Sequence, residues 1–211
     1  MTRLGVLASG SGTNLQALLD ACRAGRIDAE VALVLANVPG AGALQRAAAA
    51  GVAHHCLPSK GMTDRAAYDA ALLERLDAAG VEVVCLAGYM RLVTPTLLRA
   101  FGPTPASRGC PRLLNVHPAL LPAFPGLHAQ AQALAAGVKL AGCTVHFVDE
   151  SLDGGPVLLQ AVVPVLDSDD AAALAARILE HEHRLYPEAI RLVAEGRVRL
   201  DGRHVRVSAK I

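Results

Sequence analysis

The sequence predicts an α/β fold: one doubly wound domain over residues 1–211, with a mostly parallel sheet flanked by helices. Three observations lead there. Short apolar runs alternate with longer helical patterns, the rhythm of helices covering both faces of a parallel sheet. The run VEVVCLA at residues 81–87 is nearly continuous in apolar character, as a central strand buried on both faces requires. Hydrophobic residues make up 53% of the chain and charged residues 18%, so a folded core is expected, and with only 3% aromatic residues it must be built from Ala, Val and Leu.

The elements follow in order. Residues 4–8 read as the first strand, then comes a Gly-Ser turn and a helix over 14–24 that ends at Gly25. Residues 31–36 form the second strand, 43–50 a helix stopped by Gly51, and 54–57 a short third strand. Asp64 caps a helix running to about residue 79, Gly80 ends it, and the central strand 81–87 follows. Residues 94–101 read as a short helix. The stretch GPTPASRGCP at 102–111, with three prolines and two glycines, reads as an exposed loop. After a strand at 112–116 comes HPALLPAFPG, whose prolines fix φ and lack N–H donors, so it is neither regular helix nor central strand. A helix at 128–136, strands at 143–148 and 157–165, a long helix at 170–194 and a hairpin turning at 201–203 complete the pattern.

At 211 residues such a domain buries roughly 70% of its unfolded surface without covalent staples. The formal net charge of +1, with arginines scattered along the chain, argues against nucleic acid or an anionic membrane as the main partner and favours small molecules. Cys22, Cys56, Cys85, Cys110 and Cys143 are odd in number and widely spaced, which suits neither a disulfide framework nor a zinc site; packed, reduced thiols and no metal are expected. The N-terminal apolar stretch is too short for a secretion signal and no run is long enough to span a membrane, so a cytoplasmic location is expected.

Three motifs carry chemistry. Ser9-Gly10-Ser11-Gly12-Thr13-Asn14 joins the first strand to the first helix, where glycines admit a ligand to the backbone and helix N–H groups face an anion. It reads as a phosphate cradle or as a tight turn with Thr13 or Asn14 as N-cap. It is not a dinucleotide fingerprint, because the third glycine is absent and Asn37 stands where an acidic ribose ligand would be. Asn115-Val116-His117-Pro118 falls at the end of a strand, with the amide and imidazole on one side. An amide donor for an oxyanion beside a proton-moving imidazole suits acyl transfer, and a satisfied buried pair is the plain alternative. Asp153-Gly154-Gly155-Pro156 puts a carboxylate in a flexible turn before a strand, which by itself reads as an Asx turn. No G-x-S-x-G elbow is present and no cysteine has a nucleophile's setting, so direct attack on a bound acyl donor is simpler than a covalent acyl-enzyme.

Four stretches, LASGSGTNLQALL at 7–19, LAGYMRLV at 86–93, LLNVHPALLPAFPGLHAQAQAL at 113–134 and CTVHFVDESLDGGPVLLQAVVPV at 143–165, resemble the phosphoribosylglycinamide formyltransferases, folate-dependent enzymes of purine synthesis. The resemblance implies a Rossmann-like formyltransferase fold and transfer of a formyl group from 10-formyltetrahydrofolate, as cosubstrate, to the amine of glycinamide ribonucleotide. It implies Asn115, His117 and Asp153 as the catalytic trio, with His146 beside them. It implies Gly10, Ser11, Gly12, Thr13, Asn14 and Glu182 for the ribonucleotide, and Arg65, Tyr89, Met90, Arg91, Leu92 and Val93 for the folate. A monomer or weak homodimer is expected. The family usually has Ser at Ala119, a basic residue at Ala123 and a polar or basic residue at Leu179, so contacts from those positions are altered here. Formyltetrahydrofolate deformylases and methionyl-tRNA formyltransferases resemble the same pattern but usually carry an additional domain, for which 211 residues leave no space. A ribonucleotide-sensing module without turnover would have no need of the trio.

Overall fold

The computed structural model describes residues 1–105 and 107–209. Nine strands and six helices are seen among them, in the order β1 (Thr2–Ala8), α1 (Thr13–Arg23), β2 (Ala29–Ala36), α2 (Gly42–Ala49), β3 (Ala53–Cys56), α3 (Arg65–Ala78), β4 (Val83–Leu86), α4 (Pro95–Ala100), β5 (Leu113–His117), α5 (Ala129–Ala135), β6 (Leu140–Phe147), β7 (Val157–Pro164), α6 (Ala171–Ala194), β8 (Val198–Asp201) and β9 (His204–Val207). Seven strands make one sheet in the order β3-β2-β1-β4-β5-β6-β7, and β8 and β9 pair as a hairpin. The first five of the sheet are parallel; β6 runs antiparallel to β5, and β7 to β6.

The sheet is doubly wound because β1 alternates its side chains between two cores. Leu4, Val6 and Ala8 join Leu15, Leu18, Ala43, Tyr186 and Ile190 on the face covered by α1, α2 and α6. Leu7 joins Tyr68, Leu72, Leu76, Leu97 and Phe101 on the face covered by α3 and α4. Gly5 has a packing reason: a Cβ there would lie 2.6 Å from Leu76 and 2.9 Å from Val81, so α3 could not approach. Asp64 caps α3 as expected, accepting from Ala67 N at 3.0 Å; Asp170 stands just outside α6 as its cap, accepting from Ala173 N at 2.7 Å; and the cap of α1 is Gly12, in the left-handed conformation and without a side-chain bond, rather than Thr13 or Asn14, which lie within the helix. The buried Tyr186 hydroxyl lies 3.0 and 3.1 Å from the carbonyl oxygens of Leu86 and Leu114, fixing α6 against the ends of β4 and β5.

The structure corrects several expectations. β4 is shorter than the apolar run that announced it, because Val81 already belongs to the packing under α3. β6 begins at Leu140, earlier than expected, since antiparallel pairing with Pro164 continues past the apolar stretch. The stretch 102–111, of which Ala106 lies outside the described residues, is not a free loop: Arg108 donates to Gly196 O at 3.0 Å, and Cys110 is buried with its thiol 3.1 Å from Val198 O. All five thiols are unpaired, but Cys56 is exposed on the edge strand β3 rather than packed. No helix among the described residues is long and apolar enough to cross a membrane.

Candidate active site

Strand order reverses between β1 and β4, and in an open α/β sheet that reversal opens a crevice beyond the carboxyl ends of the strands. The loop after β4, the segment after β5, the turn before β7 and helix α6 enclose a cavity of about 990 Å³ there. Asn115 and His117 line it from the end of β5, two residues apart and therefore on one side of the strand. Asp153 lines it from the β6–β7 turn.

The turn carrying Asp153 is held in place rather than flexible. Asp153 itself adopts φ 51°, a left-handed conformation that carries strain for a residue with a Cβ. A Cβ on Gly155 would lie 1.8 Å from Phe147 O, so only glycine lets the turn fold back on the end of β6. Arg203, at the tip of the β8–β9 hairpin, donates to Gly154 O at 2.5 Å. The Asp153 carboxylate thereby reaches three side chains. Its Oδ2 lies 3.4 Å from His117 Nδ1 and accepts from Gly126 N at 2.8 Å; its Oδ1 lies 3.5 Å from Asn115 Nδ2 and 3.7 Å from His146 Nε2.

Hydrogen-bond partners assign the rings. His117 Nε2 lies 2.9 Å from the carbonyl oxygen of Phe124, which can only accept, so Nε2 carries a proton and Nδ1 faces the carboxylate. His146 Nδ1 lies 3.0 Å from Phe147 O and carries its proton, leaving Nε2 to accept from Asn115 Nδ2 at 3.2 Å. Burial holds the His146 pKa below the usual imidazole range, against the opposing pull of the Phe147 carbonyl and Asp153, which keeps that ring neutral. Asn115 thus gives one N–H to His146, while the other reaches Asp153 only at 3.5 Å, the limit of hydrogen bonding, and is the one a ligand can claim.

The other sequence-assigned residues divide. Arg65, Tyr89, Met90, Arg91, Leu92 and Val93 all line the cavity. Met90 is 63% exposed, so it does not fill core. The Arg91 guanidinium stacks over the Tyr68 ring at 4.4 Å, and burial raises the Tyr89 hydroxyl pKa. Asn14 and Glu182 also line the cavity, joined by a 2.7 Å bond from Asn14 Nδ2 to Glu182 Oε2. Asn14 Oδ1 is buried and without a partner among the described residues, and desolvation raises the Glu182 pKa despite the Asn14 bond. Gly10, Ser11, Gly12 and Thr13 stand outside the wall of this cavity; Thr13 borders a neighbouring one of about 380 Å³ with Gln16, Arg46 and His183. The reason is local. Gly12, at φ 73°, packs on α2, where a Cβ would lie 2.6 Å from Ala43 Cα. Glycine at that position therefore answers to packing, whereas a Cβ at Gly10 would meet open space.

Side-chain patterns do not show several members of the site. The Phe124 carbonyl and Gly126 amide are backbone groups, and they face His117 and Asp153 because residues 124, 126 and 128 all adopt positive φ. The PGLH stretch marks that region, but nothing in it announces which groups point inward. His128, the last residue of that stretch, lines the cavity, as do Gln130 and the turn residues 149–152, which have no signal in the sequence. Among the described residues no group of three or more His, Cys, Asp or Glu side chains is placed to hold a metal.

The formyl transferase family matches residues 2–190. The trifunctional purine biosynthetic protein adenosine-3 of Drosophila melanogaster is 47% identical over 196 residues; the match covers 92% of this chain but only 14% of that protein, so the chain spans about one seventh of that relative's length. The phosphoribosylglycinamide formyltransferase of Escherichia coli (strain K12) is 44% identical over 195 residues, covering 92% of this chain and 88% of its own. The crystal structure of glycinamide ribonucleotide transformylase 1 from Symbiobacterium toebii superposes with a TM-score of 0.92 at 57% identity, covering 98% of this chain and 94% of that one.

Proposed function

Because this chain belongs to the formyl transferase family, we propose that it moves the formyl group of 10-formyltetrahydrofolate to the amine of glycinamide ribonucleotide, releasing formylglycinamide ribonucleotide and tetrahydrofolate for purine synthesis. The observation that carries the reading is the convergence of Asn115, His117 and Asp153 on one wall of a cavity large enough for two substrates. The exposed apolar side chains of Met90 and Leu92 suit a flat heteroaromatic ring, with Arg65 and Arg91 toward an anionic tail. On the opposite side, Asn14 and Glu182 suit a hydroxylated ribose, and the N-terminal turn of α1, whose first amides have no intrahelical acceptor, suits a phosphate.

The residues then divide the chemistry. The neutral amine attacks the formyl carbon, the carbonyl oxygen becomes an oxyanion, the bond from carbon to the folate nitrogen breaks, and one proton passes from the amine to that nitrogen. Asn115 donates its loosely held N–H to the oxyanion. His117, oriented by the Phe124 carbonyl and Asp153, stabilises the same oxygen or relays the proton. Asp153 orients His117, and with His146 it gives a water that shuttles the proton a polar seat. The reading takes the chain as one formyltransferase domain, cytoplasmic, a monomer or weak homodimer, acting on small molecules without nucleic acid or membrane. Tetrahydrofolate release, measured with glycinamide ribonucleotide, with water alone and with charged initiator tRNA, tests it. Release that depends on the ribonucleotide is expected; release independent of any added acceptor would make the chain a deformylase.

A further inference from the structure

The two loops assigned to the two substrates are joined through one side chain that takes no part in the chemistry above. β1 and β4 are neighbours, and each hands over at its carboxyl end to one of these loops. Ser9, the first residue beyond β1, grips the other loop on both sides of Tyr89: its amide donates to Gly88 O at 3.0 Å, and its hydroxyl accepts from Met90 N at 2.8 Å. Because an amide N–H can only donate, the hydroxyl proton is directed elsewhere, to Asn37 Oδ1 at 2.6 Å. Asn37 is buried, donates onward to Ser59 Oγ at 3.1 Å and anchors its own amide on Ala8 O at 3.4 Å. The residue at the end of the second strand, where a dinucleotide-binding sheet would keep a ribose ligand, is here spent on orienting Ser9.

The loop that starts at Ser9 is anchored to α2 through its carbonyls, while the first amides of α1 at its far end have no intrahelical acceptor and no side-chain cap, and are left for a ligand to order. Gly10 O accepts from Ala43 N at 3.1 Å and Ser11 O from Arg46 Nε at 2.9 Å, so its carbonyls are tied to α2. Ordering the backbone of residues 10–14 around an anion therefore orders Ser9, and Ser9 in turn fixes Met90, whose side chain stands 63% exposed on the cavity wall.

We propose that Ser9 is a positioning residue that couples the two substrate loops, so that occupation of one preorganises the other. The inference rests on the assignment of those loops to ribonucleotide and folate given above. Coupling of this kind is reciprocal: each ligand must tighten the other by the same factor, and factors of about tenfold are ordinary for a link of a few hydrogen bonds.

The test is titration calorimetry with tetrahydrofolate and glycinamide ribonucleotide as probes, each alone and each with the other saturating. It is run on the unaltered protein, Ser9→Ala and Ser9→Thr, with thermal melts to confirm folding. The unaltered protein is expected to show about tenfold tightening in both directions. Ser9→Ala, which leaves the Met90 amide and Asn37 Oδ1 unpaired, is expected to bring the factor near one while the ribonucleotide binds alone almost as before. Ser9→Thr, which keeps the hydroxyl, is expected to retain the coupling. A factor of one in the unaltered, active protein, or an unchanged factor in Ser9→Ala, overturns the coupling and leaves the proposed reaction standing. Failure of the unaltered protein to bind either probe overturns both. Should Ser9→Ala not fold, Asn37→Ala frees the hydroxyl to turn away from Met90 and is expected to lower the factor; no change there also overturns the role.

Discussion

Replacing Asp153 with Asn keeps the shape of the side chain and removes its charge, at a position where that charge faces His117 Nδ1 at 3.4 Å. A unit charge pair at that separation attracts by about 5 kcal/mol at an effective dielectric of about 20. Only part of this bears on the rate, because the side chain is 12% exposed and the transition state develops a fraction of the full charge. Taking about half, the loss is roughly 2–3 kcal/mol, which corresponds to about 10²-fold in kcat. The acceptor role toward Gly126 N survives in Asn, so the turn should keep its position and both KM values should change by less than about threefold. Steady-state kinetics on Asp153→Asn, His117→Ala and the double variant check this. Since the two side chains act as one unit, the double should be little slower than the slower single. Fully multiplicative losses, or a loss confined to KM, would refute the reasoning.

Three further outcomes follow from the same geometry. Gly10→Val places its side chain in open space over the loop and should weaken ribonucleotide binding by at least about tenfold with little change in melting temperature, whereas Gly12→Val meets Ala43 and should destabilise the fold, by about 1–3 kcal/mol; titrations alongside thermal melts separate the two, and equal loss of folate affinity in Gly10→Val would count against a phosphate loop. Met90→Glu, at a 63% exposed position, should leave the melting temperature within a few degrees and weaken folate binding by about tenfold; normal folate affinity in the folded variant would remove Met90 from the pocket. Burial raises the Glu182 pKa above its unfolded value, so the folded protein binds more protons and Glu182 costs stability as pH rises through that window. Glu182→Gln should therefore stabilise the protein more at pH 7 than at pH 4.5 while lowering ribonucleotide affinity, as melts across that range will show; a stability gain independent of pH would contradict the assignment.

The fold was legible because its signals are local and repeated. Alternating apolar runs gave the β-α order, Asp64 marked the start of α3 as its cap, and DGR at residues 201–203 marked the hairpin. Strand direction was less so: nothing in CTVHFV says that β6 runs antiparallel to β5, since that depends on where the chain returns after α5. In the site, Asn115 and His117 could be paired from their spacing on one strand, but Asp153 is nearly forty residues away and joins them only because Gly155 lets its turn lie against Phe147 O. The groups that orient the trio, the Phe124 carbonyl and Gly126 amide, belong to the backbone and leave no trace in side-chain type. Ser9 was hidden for another reason: a serine in a Gly-rich turn has many uses, and only the register of β1 beside β4 places it under Met90.

The central claim is that the ribonucleotide amine receives the formyl carbon directly. Its most direct test is a single-turnover reaction with formyl-labelled 10-formyltetrahydrofolate, protein in excess and glycinamide ribonucleotide present, with the products separated and the label located. The account predicts that the label appears in the ribonucleotide's amide in step with tetrahydrofolate release, with none on the protein at any time. Label recovered as free formate, or held on the protein before it reaches the ribonucleotide, would contradict it.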